Sequence, residues 1–157
     1  MSERVYEAEW AVAQIFAQYL DEVLPAENNE PFQKCPCVTF FDPMAQDEAD
    51  RVVIFIHQVD APADGAANFV ATVEVTIKSR NTQPKMEDDV KRHFARVKLL
   101  RGALCDAGML AALDGIDSGL GVNYVNNGRQ FRTDVAKGWI YSETRLEVKC
   151  FAREVTP

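Results

Sequence analysis

Between positions 69 and 78 apolar and polar side chains alternate one by one. Phe69, Ala71, Val73, Val75 and Ile77 fall on one side, and Val70, Thr72, Glu74, Thr76 and Lys78 on the other. A β-strand turns successive side chains to opposite faces. The alternation therefore predicts a sheet with one face in the core and a second face that is largely polar. The closing segment repeats the pattern, with Thr144, Leu146, Val148 and Cys150 alternating with Arg145, Glu147 and Lys149. By contrast, residues 52–56 are an almost unbroken run of β-branched and aromatic side chains, which predicts a central strand covered on both faces. The alternating strands call for helices on one side of the sheet only.

Helical spacing supplies them. Val5, Ala8, Val12, Ile15, Phe16, Tyr19, Leu20 and Val23 predict a helix over 5–24, with Ser2 as N-cap, Glu3 in its first turn and Pro25 as its stop. Trp10, Ala13 and Ala17 fall away from this stripe, which reads as a second contact face on which Trp10 either packs or anchors a partner. A second helix is predicted over 84–104, opened by Pro84 and the dipole-complementing Glu87, Asp88 and Asp89. A short third helix spans 106–113 and closes at Asp114-Gly115. A short strand over 37–41 follows a loop at 25–36 and precedes an acidic loop at 42–50. Residues 60–68 include Asp60, Ala61, Pro62, Asp64, Gly65 and Asn68 and read as a projecting, mobile hairpin loop without core-forming side chains. The final third reads as a meander: a strand over 121–125, a tight turn at Asn127-Gly128, a strand over 129–133, and a last one over 139–151. The order predicts a single domain, 1–157, of α+β class: an antiparallel (mixed) β-sheet with helices packed on one face.

Composition narrows the function classes. With 157 residues, 47% apolar and 26% charged, the chain is an ordinary globular one, long enough for a core without staples. Its longest apolar runs, 52–56 and 109–113, are far short of the roughly 20 residues that cross a bilayer, and the acidic start is unlike a secretory signal. No membrane partner and a cytoplasmic site of synthesis are expected. A net charge of −7 argues against a general nucleic-acid surface. The charge is uneven: acids dominate 3–22 and 42–50, whereas Lys78, Arg80, Lys85, Lys91, Arg92, Arg96, Lys98 and Arg101 crowd into 78–101. Opposite-sign clusters suit a chain that stacks on itself, and they also suit plain solvated faces.

Catalytic and metal-binding patterns are missing. Cys35-Pro36-Cys37 leaves one residue between its thiols, and Cys105, Cys150, His57 and His93 are scattered. No zinc or thioredoxin-like spacing results, so mostly buried, reduced thiols and no metal are expected. There is no nucleophile elbow, phosphate-binding loop, His-Glu-x-x-His or dinucleotide fingerprint. The three consecutive acids at 87–89 point in different directions from a helix and cannot converge on one ion. Cys150, on the apolar side of its strand, reads as inert, and both histidines read as packed residues. No cofactor is indicated.

The layout of opening helix, long-looped hairpin ending in the alternating strand 69–80, helix 84–104 and closing strands 121–125, 129–132 and 138–148 resembles the tail terminator, or tail completion (minor tail), proteins of long-tailed bacteriophages. The resemblance implies a tail-terminator-like α+β fold and a non-enzymatic virion protein, assembled in the host cytoplasm into a hexameric ring at the head-proximal end of the tail. Such a ring caps the tail tube, ends its polymerisation and joins the tail to the head connector protein, with DNA only passing through its lumen. On that reading Trp10, Ala13, Ala17, Thr72, Glu74 and Thr76 belong to the subunit interface, and Asp60, Ala61, Pro62, Asp64, Gly65 and Asn68 form the loop that meets the tail tube. Another phage neck or head–tail joining protein, a small α+β enzyme with His57, His93 or a cysteine at a pocket floor, and a monomeric adaptor are the alternatives.

Overall fold

The alternating segment lies at the middle of the sheet. The computed structural model describes residues 8–24, 30–32, 35–39, 50–61, 68–81, 86–136 and 138–151. In it β3 (Asn68–Arg80) runs antiparallel between β2 (Arg51–Asp60) and β5 (Trp139–Phe151). β4 (Val122–Ala136) pairs antiparallel with β5, and the short β1 (Cys37–Thr39) pairs parallel with β2, giving the order β1-β2-β3-β5-β4. Three helices, α1 (Ala8–Val23), α2 (Met86–Leu104) and α3 (Met109–Ile116), and two 3₁₀ turns, Glu30–Phe32 and Ser118–Leu120, complete the described chain. The class is α+β with a mostly antiparallel sheet.

Period-two hydrophobicity sets the register. β3 and β5 pair without a shift from Asn68↔Phe151 to Arg80↔Trp139. That register puts Phe69, Ala71 and Val73 beside Cys150, Val148 and Leu146 on the face that joins the core, and Thr72, Glu74 and Lys78 beside Glu147, Arg145 and Tyr141 on the other. A one-residue slip would turn both sets inside out. The helices supply the rest of the core, with Val12, Phe16, Leu20, Leu100, Leu104 and Leu113 all buried. The Tyr19 hydroxyl donates to the Ala103 carbonyl at 2.7 Å and fastens α1 to the end of α2.

Several local expectations are corrected. Residues 52–56 are not covered on both faces throughout: Val53 is buried, but Phe55 on the same side is 40% exposed. Asn127-Gly128 makes no hairpin. β4 runs through it, and the register jumps between Asn126↔Glu147 and Gln130↔Arg145, so the extra residues are absorbed as an irregularity in the ladder. The β4–β5 reversal falls instead beside Gly138, at φ +83°. α3 starts three residues later than expected because Asp106 spends its carboxylate on the Gly108 N–H in the preceding turn, and it continues past Gly115 to Ile116. Ser2, Glu3, Val5, Pro25, Pro84, most of the acidic loop, and Pro62, Asp64 and Gly65 lie outside the described residues.

Candidate interaction surface

The three helices pack on one side of the sheet, and the opposite side carries a row of polar and charged groups that crosses the strands. His57 Nδ1 lies 3.2 Å from Glu74 Oε1, the same oxygen accepts from the Arg145 guanidinium at 2.6 Å, and Arg145 Nε donates to Glu143 Oε1 at 2.7 Å. One strand further, Arg132 Nε meets Asp134 Oδ2 at 2.9 Å. The row thus spans β2, β3, β5 and β4. Local sequence explains each placement. Glu74, Glu143 and Arg145 occupy the polar positions of alternating strands, and His57 sits where the β2–β3 register slips between Ile56 and Gln58. The hydrogen bond to Glu143, and then the nearby Glu74 charge, raises the Arg145 pKa above its ordinary value. Nearer the β4–β5 reversal the same face is closed: Val53, Thr76, Lys78 and Tyr141 are buried, with the Lys78 ammonium 4.3 Å from the Trp139 ring centroid and Arg80 at 5.9 Å. Fixed charges on the exposed part of a sheet face suit protein recognition.

The residues expected at an interface divide between two sides of the molecule. Thr72 and Glu74 are half-buried on the open face and Thr76 is buried there. Trp10 is 55% exposed on α1, in the helix layer. Ala13, however, is fully buried and Ala17 packs against the core, so neither belongs to a free second face. The physical reason is that α1 touches β1, β2, β3, α2 and α3, which widens its buried arc beyond the single stripe a lone sheet contact would need. Asp60, Ala61 and Asn68 are exposed at the end of the β2–β3 hairpin, where they edge an open concavity of about 520 Å³ floored by Phe69 and Cys150. The charge clusters are also redrawn. Glu9, Asp21 and Glu22 face outward from α1, and Lys91, Arg92 and Lys98 face outward from α2, but Lys78 and Arg96 leave the surface cluster because both are buried.

On the helix side a polar network that sequence reasoning missed is built around His93. Its Nδ1 lies 2.8 Å from Ser79 Oγ and its Nε2 2.7 Å from Ser142 Oγ, which in turn lies 2.9 Å from Thr133 Oγ1. Arg96 donates to Ser79 Oγ at 2.9 Å, to Asp50 Oδ2 at 2.6 Å and, through Nε, to the Pro31 carbonyl. Arg96 has no acceptor, so the Ser79 hydroxyl proton is left to point at Nδ1 and His93 donates from Nε2 to Ser142. Burial, then the Arg96 charge, lowers the His93 pKa to about 4, so the ring is neutral at physiological pH. The arrangement orients hydroxyls inside the core and ties α2 to β3, β5 and β4. The signal available in the sequence was Arg96, three residues after His93 and on the same helical stripe.

All four thiols are free: Cys35 and Cys150 are buried, Cys37 is half-buried and Cys105 is exposed in the turn after α2. Burial raises the Cys35 and Cys150 pKa values to about 12 and pushes Cys37 up as well, with Asp21 adding to the last. Among the described residues no group of three or more His, Cys, Asp or Glu side chains comes together, and no helix is long and apolar enough to cross a membrane. The chain matches no protein-family model and no curated protein.

Proposed function

We propose that this chain is a subunit of the ring that caps the tail tube of a long-tailed bacteriophage, ends its polymerisation and presents a surface to the head connector. The observation that carries the reading is the open sheet face, where Glu74, Arg145 and Glu143 form a bonded row of charges beside His57 on the side of the sheet away from the helices. Trp10 and the acids of α1 provide a different surface in the helix layer. Two unlike contact sides are what a head-to-tail ring requires, since each subunit must present a different patch to each neighbour. The subunit acts by assembly, not catalysis, and takes no cofactor. His93, the most perturbed imidazole, is fully buried with both nitrogens on serine hydroxyls, a place no substrate reaches. In this reading the hairpin end at Asp60, Ala61 and Asn68 meets the tail tube, and DNA passes the net acidic ring without adhering.

Two variants test it. Trp10→Ala, at an exposed position, is expected to weaken assembly while leaving the thermal unfolding midpoint close to that of the parent. Replacing residues 61–67 by a two-residue turn should leave folding and the ring intact and abolish tube capping. An unaltered assembly mass in the first, together with normal tail length in the second, contradicts the reading.

A further inference from the structure

Among the described residues no strand pairs with the outer edge of β4, although β4 is fifteen residues long. Its side chains near that edge are exposed apolar groups on the helix side, Phe131 at 52% and Val135 at 72%, and a charge pair, Arg132 and Asp134, on the open side. Arg101 of α2 caps the Phe131 ring, 4.2 Å from its centroid, and leaves Val135 bare. An edge this long with exposed apolar groups is a template for another strand.

The order of these residues identifies the strand. Phe131, Arg132, Thr133, Asp134 and Val135 are chemically symmetric about Thr133. Laid antiparallel against its own copy with Thr133 facing Thr133, the strand sets Arg132 opposite Asp134 twice on one face and Phe131 opposite Val135 twice on the other. Opposite charges and aromatic–β-branched pairs are the favourable cross-strand neighbours, and facing threonines are a third. The alternatives are penalised. Slipping by two residues one way sets Arg132 against its own copy, slipping the other way sets Asp134 against its own, and a one-residue slip moves apolar side chains to the charged face. The same charges therefore discourage foreign strands and wrong registers while admitting one.

We infer that two copies of this chain join through β4, pairing antiparallel about a two-fold axis at Thr133 so that their two sheets become one continuous ten-stranded sheet. The contact is isologous and so is separate from the head-to-tail contacts of a ring: it doubles whatever the chain otherwise forms. The inference stands on β4 alone and does not depend on the ring.

The test is a charge-swap mixing experiment read by light-scattering mass. Asp134→Arg sets four arginines across the seam and Arg132→Asp sets four aspartates. Each variant alone is expected at half the parent's copy number, and an equimolar mixture should return to the parent's mass with both chains present in equal amounts. Both positions are more than half exposed, so the fold tolerates either change, and the thermal unfolding of each variant checks this directly. A parent with the same copy number as either variant overturns the inference. So does a mixture of two folded variants that stays at half mass.

Discussion

Arg96, buried on α2, holds the Asp50 carboxylate at 2.6 Å just ahead of β2. The other Asp50 oxygen accepts from the Arg80 backbone N–H at 2.9 Å, so one carboxylate joins the helix layer to two neighbouring strands. Ion pairs out of water contribute little net stability, but removing one partner leaves a charge stranded. Arg96→Met and Asp50→Asn are each expected to cost about 3–5 kcal/mol in urea unfolding. The double variant should cost clearly less than the sum, because it removes both charges together. Strict additivity would show that the pair is not coupled.

His93 makes stability depend on pH in a stated direction. Its folded pKa, about 4, lies below the ordinary histidine value of 6.5, so the unfolded chain binds the proton more tightly. The neutral-ring contribution is fully present above about pH 6.5 and is lost as pH falls toward 4, to a total of roughly 3 kcal/mol. Thermal unfolding of the parent should weaken across that window. His93→Gln, less stable at neutral pH, should show a flatter dependence there; parallel profiles would remove His93 as the cause.

Two glycines make opposite forecasts. Gly121 sits at φ +59°, and a Cβ placed there would lie 2.0 Å from the Phe151 carbonyl oxygen. Gly121→Ala is expected to cost at least about 1–3 kcal/mol through strain and displacement of the β5 end. Gly102 is exposed within α2 with open space around it, so Gly102→Ala should stabilise by about 0.5–1 kcal/mol. Chemical unfolding of the pair measures both signs.

Thiol labelling separates the cysteines. Cys105 is exposed, while Cys35 and Cys150 are buried with pKa values raised to about 12. An alkylating reagent at neutral pH should modify Cys105 first and the buried pair only on unfolding. Mass spectrometry of a partly labelled sample checks the order.

How far the fold was legible follows from which forces are local. The alternation at Phe69 to Lys78 foretold which side chains join the helices, because period two has a single structural meaning, but not that Thr76 and Lys78 would be buried on the opposite face. The spacing around Phe16 and Leu20 likewise foretold α1, but not that Ala13 would be buried, since the width of a buried arc depends on how many neighbours surround the helix. Asn127-Gly128 misled because a local turn preference competes with a tertiary partner, and β5 offers β4 pairing on both sides of the dipeptide. Arg96 read as a surface base because nothing nearby in sequence announces Asp50, Ser79 and Pro31 as its partners. The charged row on the open face was half legible: Glu74 was placed on the polar side, while its partners His57 and Arg145 became visible only through register.

The proposed assembly into a tail-capping ring is tested most directly by imaging the purified protein. Negative-stain electron microscopy, with light-scattering mass over about a hundredfold range of concentration, is expected to show rings of six-fold appearance around an open lumen. Particles of only one or two copies at every concentration, with no lumen, would contradict it.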